Sequence, residues 1–397
     1  MFRILTMNKI AKAGLDILAE AGYTVDEHEG RPDALLLRSA NLHHWQPPAS
    51  LLAIGRAGAG VNNIPLDVMS QQGIAVFNTP GANANAVKEL VLAGMLLAMR
   101  HLPEALAFVS GLQGDDHALH EEVEAQKKRF VGRELTGKVL GVIGLGAIGV
   151  QVANAGVALG MRVIGYDNAI TVERAWLLSS EVIKASSLQT VLGNSDVVSI
   201  HVPLLPETRN MITQALLAEA RPGLILLNFS REGIVSPEVV REALHKNQLA
   251  SYVTDFPAAV LRGQRGVIAL PHLGASTNEA EENCAVMAAA QLRDYLEQGT
   301  VRHSVNLPEC AMEFTEGYRL AIVHGNMPNM LGQISTHVAQ WGGNIIDMIN
   351  RSKGQLAYTL LDIDQQPDDA LVQALLHIDG VRKVRLLGEA ARRNGSQ

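Results

Sequence analysis

The chain has 397 residues, 47% of them hydrophobic, with 33 Lys and Arg against 40 Asp and Glu for a formal net charge of −7. That length supplies two or three domains whose cores need no staples, and the two cysteines, Cys284 and Cys310, stand in no CxxC or CxxH setting, which argues against a disulfide scaffold or a structural zinc and suits a reducing cytosol. The negative charge, the lack of a long basic run and an aromatic content of 4% disfavour nucleic acid, an anionic membrane or a stacking platform as partners.

The first residues, MFRILTMNKI, break their apolar stretch at Arg3, Asn8 and Lys9, so a signal peptide is not expected and the location is read as cytoplasmic. Short apolar runs at Arg3 to Thr6, Ala34 to Arg38, Ala53 to Arg56 and Val76 to Asn78 predict the strands of a smaller α/β domain. A helical pattern from Asn85 to Arg100 joins it to a central sheet. That sheet is predicted from Val139 to Ile143, Arg162 to Tyr166, Val197 to His201, Leu224 to Asn228, Ser251 to Thr254 and Val267 to Leu270, alternating with helical patterns as parallel βαβ units do. The charge-free stretch Val139 to Met161 is long enough to span a bilayer, but its six glycines read better as a strand, a turn and a buried helix. A helix from Asn278 to Gln298 returns the chain to the smaller domain.

After the polar stretch Asn306 to Gly317 the pattern becomes strand Tyr318 to Val323, helix Met330 to Gln340, strands Ile345 to Asn350 and Leu356 to Asp362, helix Asp368 to His377 and strand Val381 to Leu387, the ferredoxin-like plan. The expected domains are residues 1–98 and 280–306 for substrate, 99–279 for a dinucleotide and 317–390 for regulation, followed by a frayed tail from Ala391 to Gln397.

Gly144-Leu-Gly146-Ala147-Ile148-Gly149 follows a predicted strand and opens a helix, the setting a dinucleotide fingerprint requires. Gly144 allows the tight turn, Gly146 lets backbone approach a pyrophosphate, Gly149 permits close helix packing, and the helix N-terminus faces the phosphates. Asp167 ends the next strand, where a carboxylate binds ribose hydroxyls and repels a 2′-phosphate, favouring NAD over NADP. In GRAGAGVNNIP, Arg56, Ala57 and Gly58 form either a backbone N–H nest for a carboxylate or an ordinary tight turn. Polar residues close the successive central strands: His201, Asn228 with Ser230 and Arg231, Asp255, and His272. Arg231 can grip a carboxylate and stabilise a developing alkoxide, and His272 can take a proton from a hydroxyl as hydride leaves the same carbon. No metal set is completed.

In this order GLGAIG, Asp167, HVPLLPET, NFSREGIV and LPHLGAST resemble the D-2-hydroxyacid dehydrogenases, and LLRSAN, GRAGAGVNNIP and FNTPGANANAVKEL resemble their phosphoglycerate dehydrogenase branch. The resemblance covers nearly the whole chain. It implies a Rossmann-type doubly wound parallel sheet, a second flavodoxin-like α/β substrate domain and a C-terminal ferredoxin-like ACT α+β domain. It also implies NAD-dependent oxidation of 3-phosphoglycerate, with His272 as acid/base, Arg231 on the carboxylate and carbonyl, and cofactor contacts at Ala147, Ile148, Asp167, Val202, Pro203, Phe229, Ser230, Arg231, Asp255 and His272.

The family's substrate contacts fall on Arg38, Arg56, Ala57, Gly58 and Arg129. L-Serine is the implied effector, held by His324, Asn326 and Asn344, and a homodimer or homotetramer is implied. One departure stands out: the family's glutamate that supports the histidine is replaced at Ala259 or Val260, leaving Asp255 to contact the nicotinamide or to support His272. The rival readings are a dehydrogenase for another 2-hydroxy acid, such as glyoxylate or hydroxypyruvate, and an NADH-sensing binding protein.

Overall fold

The computed structural model describes residues 1–27 and 30–388, so the tail expected to fray lies outside the described residues. The chain divides into two compact units, Met1–Asn83 with Asn278–Gln397, and Ala84–Thr277.

The first unit begins with strands β1 (Arg3–Met7), β2 (Thr24–Asp26), β3 (Ala34–Leu37), β4 (Ala53–Arg56) and β5 (Ala75–Phe77). They form a parallel sheet in the order β2-β1-β3-β4-β5, the flavodoxin-like arrangement. Helix Asn278–Gln298 returns to this sheet, burying Ala285, Ala288, Leu292 and Tyr295 against Ile4, Leu36, Ala53 and Phe77. Its alanines permit close approach: a Cβ on Gly14, in the helix Lys12–Glu20, would lie 2.6 Å from the Ala285 carbonyl carbon.

The second unit carries seven parallel strands, β6 (Val139–Ile143), β7 (Arg162–Tyr166), β8 (Ile183–Lys184), β9 (Val197–Ile200), β10 (Leu224–Asn228), β11 (Leu249–Thr254) and β12 (Val267–Ala269). Their order, β12-β11-β10-β9-β6-β7-β8, reverses direction at β6, as a doubly wound sheet does. The central strands read as unbroken apolar runs because both faces are covered. Residues 139–161 are strand β6, the glycine turn and helix Ala147–Ala158. Among the described residues no single helix is long and apolar enough to cross a membrane.

Helix Ala84–Met99 lies in the second unit, with Val87, Val91 and Met95 in one core with Phe229 and Val253. The unit boundary therefore falls at 83/84, ahead of the position expected at 98/99. Helices Leu102–Ser110 and Asp116–Gln126, which the sequence reading did not resolve, follow it.

The C-terminal segment has the expected βαββαβ order: β13 (Tyr318–Gly325), helix Met330–Trp341, β14 (Ile345–Lys353), β15 (Leu356–Ile363), helix Asp369–Leu376 and β16 (Val381–Leu387). The strands pair antiparallel in the order β14-β15-β13-β16. Leu320, Ile322, Ile334, Val338, Leu371 and Leu375 fill the core shared with the two helices. On the other face Ala321, Val323, Tyr358 and Leu360 share a core with Leu292 and Tyr295, so this segment belongs to the first compact unit.

Polar anchors accompany that packing. Arg319 is fully buried, pairs bidentately with Asp362 at 2.7 Å, and donates to the carbonyls of Met312 and Glu313. Arg385 covers the Tyr295 ring and donates to the Tyr295 and Leu296 carbonyls.

Candidate active site

In the second unit, registers Ile143 to Tyr166, Ile143 to Ile200, Asn228 to Ile200 and Asn228 to Thr254 align the carboxyl ends of β6, β7, β9, β10 and β11. The residues that follow those ends are Gly144, Asp167, His201, Phe229 and Asp255, so one sheet edge collects the groups that the sequence scatters over more than a hundred positions.

The three fingerprint glycines have separate physical reasons. Gly144 sits at φ +90°, where an L side chain is strained, and its Cβ would lie 2.8 Å from the His201 backbone. A Cβ on Gly149 would lie 1.8 Å from the Gly144 oxygen. One on Gly146 would meet no protein atom within 4 Å, so the protein itself does not require that glycine, and a closely approaching ligand would. Helix Ala147–Ala158 starts at this turn with no side-chain cap, leaving its first N–H groups for an anion. Asp167 accepts hydrogen bonds from Leu145 N (2.6 Å) and Ala169 N (2.8 Å), which holds its carboxylate against the turn.

His201 follows β9 with its Nε2 2.8 Å from Ser199 Oγ, and burial pushes its pKa down to about 3, so the imidazole is neutral. Ser230 Oγ donates to the Val202 carbonyl, fastening the loop that carries Val202 and Pro203 to the loop after β10. Phe229 is buried in the core and offers only its backbone to the edge.

The Arg231 loop is shaped by Asn228, whose Nδ2 donates to the Arg231 carbonyl (3.0 Å) and to Tyr252 Oη (3.3 Å), while its Oδ1 accepts from Ser230 N (3.1 Å). Tyr252 was not anticipated; it comes from the neighbouring strand, and only pairing reveals it. Arg231 Nη1 donates to the Ser230 carbonyl at 2.7 Å, and partial burial lowers its pKa from a value so high that the guanidinium stays charged.

His272 occupies the left-handed region at φ +56°, is exposed, and packs edge-on to the Phe256 ring with centroids 5.0 Å apart. Asp255 is 1% exposed and accepts from Leu273 N (2.8 Å) and Gly274 N (2.7 Å). The carboxylate thus holds the main chain just after His272 rather than the ring. Ala259 and Val260 lie in the 3-10 turn Ala259–Leu261 and supply no carboxylate.

Arg129 lies on the exposed turn Lys127–Phe130, over the Phe130 ring. In the first unit, Arg56 ends β4 and folds over the turn behind it, where a Cβ on Gly58 would lie 1.6 Å from Arg56 Nη1. Ala57 is buried, and its N–H donates to the Leu37 carbonyl. Arg38 is paired with Glu281 at 2.7 Å. In the C-terminal fold His324 is buried, with Nδ1 and Nε2 engaged by the Gly325 carbonyl and Thr359 Oγ1. Asn326 is exposed and donates to the Gly354 carbonyl, and the Asn344 N–H donates to Asp364.

A family model described as "D-isomer specific 2-hydroxyacid dehydrogenase, NAD binding domain" matches residues 92–274. Proteins named D-3-phosphoglycerate dehydrogenase are similar: that of Haemophilus influenzae is 32% identical over 95% of both chains, and that of Escherichia coli K12 is 32% identical over 97% of both. The Synechocystis protein of that name is 34% identical over 88% of this chain, which spans 63% of its length. Among solved structures, NAD+-bound 3-phosphoglycerate dehydrogenase of Entamoeba histolytica matches with a TM-score of 0.61 at 26% identity, covering 77% of this chain and 98% of its own. The glycine turn, the strand-end carboxylate and these full-length likenesses agree: the chain belongs to the D-isomer specific 2-hydroxyacid dehydrogenases, with residues 92–274 as their NAD-binding domain.

Proposed function

We propose that the chain oxidises 3-phospho-D-glycerate to 3-phosphooxypyruvate with NAD. The observation that carries this reading is the placement of Arg231 and His272 on loops leaving the same sheet edge as the fingerprint, in a chain matching phosphoglycerate dehydrogenases from end to end. When bound, NAD supplies the hydride acceptor. His272 takes the proton of the C2 hydroxyl, and Arg231 holds the carboxylate and stabilises the oxygen as it becomes a carbonyl. Asp255 acts through the main chain, fixing the loop on which His272 stands. Arg38, Arg56 and Arg129 are assigned to the substrate's anionic groups, whereas the Ala57 and Gly58 N–H groups expected to form a nest are taken by the Leu37 and Arg56 carbonyls.

The same reading makes the C-terminal fold an ACT-type sensor of L-serine in paired copies of a cytoplasmic enzyme. Exposed Asn326 after β13 and Asn344 before β14 support this, with His324 shaping the loop from beneath.

The test is the initial rate of NADH formation from 3-phosphoglycerate at alkaline pH, with and without millimolar L-serine. Turnover suppressed by serine supports both assignments. Unsuppressed turnover removes the sensor, and absent turnover in a folded, NADH-binding preparation shifts the substrate to another 2-hydroxy acid or leaves a binding protein.

A further inference from the structure

Two arginines and a glutamate of the first unit gather at the carboxyl edge of its sheet. Arg56 ends β4 in register with Leu37, the last residue of β3, and Arg38 follows Leu37, so the two guanidinium side chains leave adjacent strand ends. Helix Asn278–Gln298 brings its first turn to the same edge, where Glu281 Oε1 lies 2.7 Å from Arg38 Nη1.

Cys284, one turn further along that helix, senses all three charges. Burial raises its thiol pKa most; the Thr79 hydrogen bond and the Arg56 and Arg38 charges act against that, and the Glu281 charge adds to it. The three ionised groups therefore surround one point of the helix. With the N–H groups of Ala57 and Gly58 already spent on carbonyls, an anion arriving here is met by these side chains.

The Arg38–Glu281 pair is half-exposed on both sides, at 35% and 41%, the setting in which ion pairs contribute little and exchange readily. Glu281 stands in the first turn of its helix, whose positive end accommodates the carboxylate once it lets go of its partner. A phosphate carries close to two negative charges at neutral pH and accepts from two guanidinium groups at once, so it outcompetes a single carboxylate for Arg38.

We propose that Glu281 is a positioning residue: it is the built-in counter-ion of Arg38, holding the guanidinium in place in the empty site and competing with the substrate's phosphate for it. Such competition weakens the binding of substrate and product alike, since both carry the phosphate. The inference rests on the assignment of Arg38 and Arg56 to the substrate's anionic groups.

Equilibrium binding of 3-phosphoglycerate, inorganic phosphate and D-glycerate to the full-length chain holding NADH, followed by calorimetry, tests the pair without turnover. Glu281→Gln should bind 3-phosphoglycerate and inorganic phosphate about two- to fivefold tighter than the parent, the range a half-exposed pair sustains, and D-glycerate no tighter. In an Arg38→Met background the same substitution should gain nothing. In turnover the effect should fall on KM for 3-phosphoglycerate rather than on kcat, a split that loosened packing does not produce. The proposal is overturned if Glu281→Gln binds phosphate no tighter, if D-glycerate gains as much, or if the gain survives in Arg38→Met. A chain that shows the phosphate gain yet does not oxidise 3-phosphoglycerate keeps the counter-ion and refutes the assigned reaction, so the two readings fail separately.

Discussion

Gly146 and Gly149 should separate a glycine kept for a ligand from one kept for the fold. Gly146 has φ −73° and ψ −162°, which an alanine adopts without strain, and its Cβ would meet no protein atom within 4 Å. Gly146 is also the N-cap of helix Ala147–Ala158, where alanine caps less well than glycine, so Gly146→Ala should shift stability by no more than about 1 kcal/mol, the unfolded-chain gain offset by the weaker cap. The same methyl stands where a pyrophosphate must approach the backbone, and a loss of about 1.4–2.8 kcal/mol, ten- to a hundredfold in NADH affinity, is expected.

Gly149→Ala places a Cβ 1.8 Å from the Gly144 oxygen and 2.9 Å from its carbonyl carbon, an overlap with backbone that only a shift of the turn relieves. Overpacking of that kind costs roughly 1–3 kcal/mol, and in a unit of this size each kcal/mol lowers Tm by about 2–4 °C. Scanning calorimetry without cofactor and fluorescence titration with NADH read the two effects separately. A Gly146→Ala chain that binds NADH like the parent, or one that loses more Tm than Gly149→Ala, would refute the reasoning.

Asp255→Asn keeps one acceptor but turns an amide N–H toward a backbone N–H, losing one charge-assisted bond worth about 1.5–3 kcal/mol; kcat should fall roughly ten- to a hundredfold with KM for NAD nearly unchanged, and Tm should drop by several degrees. Equal losses in kcat and NAD affinity would instead place the carboxylate on the cofactor. His201, held near a pKa of about 3 against 6.5 for the free side chain, makes the unfolded chain the better proton acceptor between those values. Its contribution is therefore complete above about pH 6.5 and declines toward pH 3 by at most about 1.4 kcal/mol per pH unit. Urea midpoints measured from pH 7 to pH 4 should fall less steeply in His201→Asn. Arg319→Met leaves the Asp362 carboxylate buried without its partner and should cost about 3–5 kcal/mol, much of it recovered in Arg319→Met/Asp362→Leu. A double variant as unstable as the single one, judged by urea unfolding, would show that the carbonyl bonds made by Arg319, not the ion pair, hold the segment.

The strands of the second unit were legible because burial on both faces leaves uninterrupted aliphatic runs, and the fingerprint was legible because each glycine answers a local steric demand. The place of helix Ala84–Met99 was not. Its apolar residues promise burial without saying against which sheet, and the pairing with Phe229 and Val253 depends on chain more than a hundred residues away. The docking of the C-terminal sheet did leave a sign. Strand β13 reads RLAIVHG and is buried throughout after Tyr318, a pattern that an antiparallel strand covered on one face alone does not need. Arg319 among those residues was the further hint, since a cation at such a position implies a carboxylate and carbonyls brought from elsewhere.

The Asp255 contact was illegible for a different reason: sequence shows which side chains exist, while this carboxylate answers two main-chain N–H groups that no residue type announces. Its geometry also gives physical content to the missing glutamate. With Ala259 and Val260 in its place, His272 is steered by its own left-handed backbone, by the Asp255 clamp on the next two residues and by the edge of Phe256. Orientation reaches the imidazole through the main chain and an aromatic contact, so a proton can be handled at a defined place although no carboxylate of this loop touches the ring. Gly274 completes the arrangement: a Cβ there would stand 3.2 Å from the Asp255 carboxylate and 3.5 Å from Val87, which leaves little room for any larger residue beside the clamp.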